Sequence, residues 1–412
     1  MGGYRVGSQS LHVQLYCGVS YTLSRYWFIF ISPWRYTLKT HFELYMNDIS
    51  NFFFELIQLA IGTRICISHT PSASEWGELY SMAKRQALVG VCFAGVQRLQ
   101  GQHQEPPEML YLTWMGMAAK IQQRNETVNK QCVELQAKLA ADGFRSCILK
   151  GQGIATLYGD LAMLRQSGDI DIWMDGGLEK VMDYVNARTP NREFDIKHTH
   201  FEVFDDTIVE THWRPSASTN PILNRKLTAY FEREKNRQFN NLVRISERLG
   251  ICAPTDDFQF VHAMLHVYGH FLYEGVGMRQ MMDLFFAHNA CIKSSTVTEV
   301  QKVVEDFGLV RMARASMWVF GRVFNMPEHQ MMWEPDSEAG KELLDEIMLG
   351  GNFGHYNVEN RQVNDSFSQR MIRRLRRRAR LIRFNPMGLL FAPFGKVKIL
   401  LWKHQVIKKY NL

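Results

Sequence analysis

Two aspartates, Asp169 and Asp171, stand one residue apart at the head of Ile170-Asp171-Ile172-Trp173, a run that reads as a strand opened by Ser167-Gly168. Alternate residues of a strand face the same way. Both carboxylates therefore point to one side, about 6–7 Å apart along the chain, while Ile170 and Ile172 enter the opposite layer. Paired carboxylates at that spacing suit one or two Mg2+ (or Mn2+) ions, which clamp phosphate oxygens for in-line phosphoryl or nucleotidyl transfer. A bare Asp-x-Asp is more often a turn or surface feature, but two flanking patterns distinguish this one. Upstream, Ser146-Cys147-Ile148-Leu149 runs into Lys150-Gly151, a strand ending in a glycine turn where backbone N–H groups and a lysine can meet a triphosphate. Downstream, Thr207 to Trp213 reads as a further strand with Glu210 and His212 on one face, so Glu210 offers a third carboxylate.

The order Lys150-Gly151, a helix containing Leu157-Tyr158, Arg165-x-x-Gly168-Asp169-x-Asp171 and then Val209-Glu210-x-His212-Trp213 resembles a little-characterised bacterial family of the DNA polymerase-beta-like nucleotidyltransferase superfamily. The resemblance extends from about Asn51 to about Asn385 and is densest between Leu149 and Trp213. It implies an α/β (α+β) fold, a small mixed-sheet core flanked by helical N- and C-terminal regions. It also implies that Asp169 and Asp171 are the metal-binding pair and that Glu210 is the third carboxylate, orienting or deprotonating the attacking hydroxyl. Lys150, Gly151 and Arg165, with Ser167 and Gly168, would hold the nucleotide phosphates. The chain departs from the superfamily at the first turn, where Gly151-Gln152 replaces the usual Gly-Ser or Gly-Gly, and in the longer excursion through Tyr158 and Arg165. The implied reaction moves a nucleoside monophosphate from an NTP to a hydroxyl-bearing acceptor, and leaves open whether that acceptor is a small molecule, a protein or an RNA end.

Around this centre the pattern places a helical region over 46–142, the α/β core over 143–240, a second helical region over 241–365 and a basic tail over 366–412. Ser72-Ala73-Ser74-Glu75 is a helix start, followed by apolar positions at helical spacing to Arg98. Pro106-Pro107 interrupts it, and Met109 to Asp142 reads as one long helix closed by Gly143. Between Arg145 and Trp213 strands alternate with helices, with an additional antiparallel strand expected from Phe194 to a turn at Asp205-Asp206. Residues 1–45 carry eleven aromatics and a single acid, Glu43, without sustained periodicity, and Met46 opens an ordinary helical sequence. Met46 is therefore read as the natural start and 1–45 as an extension.

Histidines form two further patterns. Along the expected strand His198, His200 and Glu202 share a face, which is either a metal site or a polar edge of the active site. From Thr255 the chain is helical again, and His262, His266 and His270 fall at i, i+4 and i+8 on one stripe. Three readings fit the stripe: a metal site, which would make the protein a metal hydrolase; contact with nucleotide or acceptor; or hydrogen-bonded histidines in a helix interface. The acidic base of a His-Glu-x-x-His protease is absent. The resemblance favours nucleotide or acceptor contact for the stripe, and substrate contact is expected at His200, His212, His266 and His270. It also matches Arg279 and Asp283, whose i, i+4 spacing equally suits a structural ion pair.

At 412 residues with 46% hydrophobic content the chain can bury a sizeable core. No apolar run approaches the roughly 20 residues of a membrane-spanning helix. Seven scattered cysteines without a Cys-x-x-Cys pair argue against a disulfide scaffold or zinc ribbon and for a reducing cytoplasm. The net charge of +7 resolves into +13 from Arg370 onward, where there is no acid, and −6 for the rest. An amphipathic basic segment of that kind covers an acidic surface of its own protein, lies on anionic lipid at the inner face of the membrane, or grips nucleic acid. The fold can also be kept without catalysis, as a nucleotide-sensing or partner-binding protein.

Overall fold

A computed structural model of the chain describes residues 48–189, 193–294, 296–356, 369, 372, 377 and 379–410. The expectation for residues 1–45 lies outside the described residues, as does half of the Arg370–Arg383 segment. Asn51–Leu412 forms one compact unit.

The β-rich centre is a four-stranded mixed sheet. Its strands are β1 (Ser146–Ile148), β2 (Ile170–Met174), β3 (His198–His200) and β4 (Val209–His212), in the order β1-β2-β4-β3. β2 and β4 run parallel, with Asp171 paired to Glu210, while β1 and β3 flank them antiparallel. The parallel pair requires a crossover, supplied largely by α6 (Gly177–Asn186). Alternation gives the sheet two unlike faces. Ile148, Ile170, Ile172, Met174 and Val209 enter a buried cluster with Val128, Cys132, Leu135 and Leu139 of α4 (Glu108–Ala141) and Val181, Met182 and Val185 of α6. The opposite face carries Asp171, Trp173, Glu210 and His212. Trp173 closes its far end by stacking on Phe258, with ring centroids 6.0 Å apart, and tilting onto Phe239 at 4.7 Å. Phe239 ends α7 (Pro221–Phe239) and Phe258 starts α8 (Asp256–Tyr273), so aromatic packing seats both helices on this face.

Preceding the sheet are α1 (Asp48–Ile61), α2 (Ala73–Arg85), α3 (Val89–Gln97) and α4, with the short α5 (Gln152–Ala155) and a 3-10 helix (Thr156–Leu164) between β1 and β2. α9 (Met278–Cys291), α10 (Val297–Asp306), α11 (Val310–Phe324), α12 (Ser337–Gly350) and α13 (Pro386–Tyr410) complete the described helices. Fold class and helical flanks agree with expectation. The Ser72 capping box forms in full, Glu75 N donating to Ser72 Oγ and Ser72 N to Glu75 Oε2.

Three local expectations change. Ser72–Arg98 is two helices, because Ala87 adopts a left-handed φ of 54° and Gln86 leaves its helix to bond Ile347 O and accept from Met278 N. The break lets α3 approach its neighbours closely: a Cβ on Gly90 would lie 2.3 Å from Leu164 O, and one on Gly95 equally near Leu56 O. The strand from Phe194 shrinks to His198–His200, since a tight turn ties Asp195 N to His198 O, and Glu202 falls outside it, exposed. The region after 240 begins with a hairpin, β5 (Leu242–Arg244) and β6 (Gly250–Cys252). Gln136 of α4 holds β6 by accepting from Cys252 N and donating to Cys252 O.

The described part of the tail lies against the body. Arg377 and Arg380 both pair with buried Glu346, Arg383 pairs with Glu338, and Lys409 with Glu179. Val406 and Tyr410 of α13 join the cluster beneath the sheet. Among the described residues no helix is long and apolar enough to cross a membrane. Beside Glu346, burial first and then the Glu346 and Glu342 charges push the Asp345 carboxyl up to about 7.

Two outcomes follow from this packing. Gly90→Ala should cost about 1–3 kcal/mol in chemical denaturation, because the added methyl meets backbone rather than a mobile side chain; an unchanged midpoint would contradict the close α3 approach. For Asp345 the folded state keeps its proton to higher pH than the unfolded chain, so its contribution to stability falls as pH rises from about 4 to about 7. Asp345→Asn should therefore raise the melting temperature at pH 8 and leave it nearly unchanged at pH 4.

Candidate active site

A cavity of about 280 Å³ opens between the charged sheet face, α8 and α9. Strand alternation places Asp171 and Glu210 side by side on it, and Asp169 enters from the turn just before β2. Lys150 follows β1, and its Nζ lies 2.7 Å from Asp171 Oδ1. Gly151 turns the chain there with φ 52°, and an added Cβ would sit 3.3 Å from Asp169 O, so the first turn and the aspartate turn touch through backbone. Gln152, where the superfamily pattern has a small residue, is buried and donates back to Asn129 and Asn125 of α4, away from the cavity.

His212 is wholly buried beneath the carboxylates. Its Nε2 lies 3.0 Å from Asp171 Oδ1 and 3.4 Å from Glu210 Oε2. Burial alone would raise the Asp171 carboxyl, but Lys150 and His212 hold it well below the ordinary carboxylate range. Glu210 is likewise held down against burial, chiefly by the hydrogen bond from His212. Asp169 behaves oppositely: the Asp171 charge, then burial, raises its carboxyl. Burial disfavours the Lys150 ammonium, yet Asp171, Asp169 and Glu210 keep it charged above its usual range. Lys150 and His212 thus offset the charge of Asp171 and Glu210, and the repulsion left over falls on Asp169. Asp169, Asp171 and Glu210 line the same cavity and offer the all-oxygen donors that a hard divalent cation takes, and donor atoms of Asp171, Glu210 and the adjoining His212 lie within 4.8 Å of one another.

Cations line the other side. Lys197 and Arg279 face the cavity, Arg279 donating Nη1 to Gln166 O while its buried Nε has no hydrogen-bond partner. Sequence spacing does not single out Lys197, which lies ahead of β3 and reaches the cavity only through the turn at residues 193–198. Arg165 is more constrained than expected. Its Nε and Nη2 clamp the two oxygens of Asp283 at 2.7 and 2.8 Å, and Tyr158 OH donates to the same carboxylate at 2.6 Å. Asp283 therefore pairs with Arg165 and not with Arg279. Only Arg165 Nη1 is left without a partner, and the residue still borders the cavity. Gly168 also borders it. Ser167 does not, and its buried hydroxyl has no partner.

α8 sets His262, His266 and His270 along the cavity wall. The rings take separate partners: His262 Nε2 lies 3.3 Å from Pro215 O, and His270 Nδ1 lies 2.7 Å from Glu274. Burial, then Lys150, pushes His262 down to about 3 and His266 well below its ordinary value, which favours the neutral imidazole at both. His200 stands outside this cavity on β3, with Nε2 3.9 Å from Glu210 Oε1.

A family profile described as "Uncharacterised nucleotidyltransferase" matches residues 72–325, a span that includes the sheet, α8, α9 and every residue of the cavity except Phe353. No curated protein and no solved structure shows a significant match.

The buried Arg165–Asp283 pair yields an expected outcome. Asp283→Ala should destabilise the protein by about 3–5 kcal/mol, because it strands a buried guanidinium. Urea denaturation checks this, and a loss below about 1 kcal/mol would mean that the pair does not hold α9 against the aspartate turn.

Proposed function

Because the chain belongs to this uncharacterised nucleotidyltransferase family, we propose that it moves a nucleoside monophosphate from an NTP to a hydroxyl-bearing acceptor, with Mg2+ or Mn2+ held by Asp169, Asp171 and Glu210. The observation that carries the reading is the meeting of these three carboxylates with Lys150, Lys197 and Arg279 in one cavity. A divalent cation bound there supplies charge neutralisation of the phosphate oxygens. Lys150, Lys197 and Arg279, with Gly151, Gly168 and the remaining Nη1 of Arg165, hold the triphosphate as its negative charge redistributes. Glu210 accepts the proton of the acceptor hydroxyl. The new bond joins the acceptor oxygen to the α-phosphorus, the α–β bridging bond breaks, and pyrophosphate leaves with the bridging oxygen. His212 keeps the Asp171 and Glu210 carboxylates oriented. His266 and His270, neutral or hydrogen-bonded on the opposite wall, offer donors to nucleotide or acceptor, and His200 borders the acceptor side of Glu210. Such chemistry asks mainly for positioning and charge complementarity.

The acceptor class stays open among small molecules, protein side chains and RNA ends. A cytoplasmic location is supported by the six cysteines among the described residues, all of them free thiols. α13 exposes Val397, Leu400 and Leu401 beside Lys398, which supports peripheral contact with anionic lipid at the inner face of a membrane. A second reading, nucleotide binding without transfer, is favoured by the Lys150 ammonium seated on Asp171 and by the Gly151-Gln152 turn.

Label transfer from each α-labelled NTP, with Mg2+ and a cell extract, separates the two. Label should appear on a product with the intact protein and fall to background with Asp171→Asn, with circular dichroism used to check that the variant keeps its fold. Transfer that survives Asp171→Asn would overturn the proposal, and nucleotide binding without label would favour the second reading. Lys197→Ala should raise KM for the NTP about tenfold, equivalent to roughly 1.4 kcal/mol of lost binding.

A further inference from the structure

The edge of the sheet beside the cavity places two histidines that take no step in the transfer reaction against Glu210, which does. β3 presents His198 and His200 on one face, and β4 sets His212 opposite the first and Glu210 opposite the second. The Glu210 oxygens divide between them: Oε2 lies 3.3 Å from His198 Nδ1, and Oε1 lies 3.9 Å from His200 Nε2. Although Glu210 is near, His198 Nδ1 is a buried nitrogen whose geometry makes no hydrogen bond. Donor atoms of the three residues all lie within 4.8 Å of one another.

We propose that His198, His200 and Glu210 form a binding site for a transition-metal dication of the Zn2+ class, which shares Glu210 with the hard-cation site at Asp169 and Asp171 and differs from it by two imidazole ligands. Two imidazole nitrogens and one carboxylate are a set that Zn2+ favours and Mg2+ does not. Three protein ligands leave a fourth position for water or a ligand atom. Zinc bonds of about 2.0–2.2 Å put tetrahedral donors about 3.3–3.6 Å apart, and donor atoms already gathered within 4.8 Å reach that spacing by side-chain adjustment alone. The neighbouring trio of Asp171, Glu210 and His212 is a poorer host. There the His212 nitrogen already serves both carboxylates, its ring is fully buried, and the Lys150 ammonium sits on Asp171. Side-chain exposures of 14, 32 and 17% for His198, His200 and Glu210 leave their site reachable from solvent.

Metal uptake tests the site without reference to the transfer reaction. Full-length protein stripped with a chelator is titrated calorimetrically with Zn2+ in excess Mg2+, and with Co2+ to follow the visible absorption bands of imidazole coordination. The expected result is one Zn2+ per chain, with affinity reduced about tenfold or more by His198→Ala or His200→Ala and unchanged by Asp169→Ala. No saturable uptake, or uptake unaltered in the two histidine variants, would overturn the proposal. So would loss of uptake in Asp169→Ala with retention in His200→Gln, which would assign the ion to the carboxylate pair. His200→Gln changes a more exposed side chain, and so decides the question if His198→Ala does not fold.

Discussion

Two carboxylates on one sheet face and a third from the turn before it crowd a single cavity, and the rest of the site is organised around their charge. In a partly buried setting the Coulomb energy between unit charges a few ångströms apart is several times its value in water. Asp171 stays ionised because Lys150 and His212 lie against it, whereas Asp169, without an equivalent partner, has its carboxyl raised by Asp171. Lys150 in turn tolerates burial only because the acids surround it. The backbone contact of Gly151 with the Asp169 carbonyl keeps lysine and aspartates within reach of each other.

A second electrostatic tie secures the aspartate turn from the helical side. Arg165 precedes the turn, Asp283 lies on α9, and their bidentate pair, completed by Tyr158 OH, joins the core to the C-terminal helices. Asn125 of α4 holds the same stretch from the other direction by donating to Met163 O and Arg165 O. The turn bearing Asp169 is thus gripped by helices before and after the sheet in sequence. The cavity wall made by α8 and α9 follows from that grip, together with the aromatic seat of Phe258 on Trp173.

The same contacts explain how far the residues could be read in advance. Strand alternation alone put Asp171 and Glu210 on one face, because period-two geometry is local and the apolar partners Ile170 and Ile172 mark the other side. The long α4 helix and the Ser72 cap were legible for the same reason. Glu202 was expected beside His198 and His200, but β3 ends first, and the cross-strand partner that fills the place is Glu210. Nothing local could show that, since the end of β3 depends on pairing with β4, whose register stops at His200 and Glu210. Lys197 and the true partner of Asp283 were equally hidden, because their neighbours are more than ten residues away along the chain.

Sequence by itself determined the chemistry on offer: two aspartates in strand register, a third carboxylate on a later strand, a Lys-Gly turn, a histidine stripe and a basic tail whose charge opposes that of the body. These depend on residue type and short-range periodicity. Tertiary structure alone decided which cations meet which acids. It gave Lys150 to Asp171, Arg165 to Asp283, Arg377 and Arg380 to Glu346, and left Arg279 facing the cavity. Ion pairing has no sequence period, since any of several arginines could satisfy a given carboxylate. The choice is made by the packing that brings distant helices together and buries one candidate rather than another.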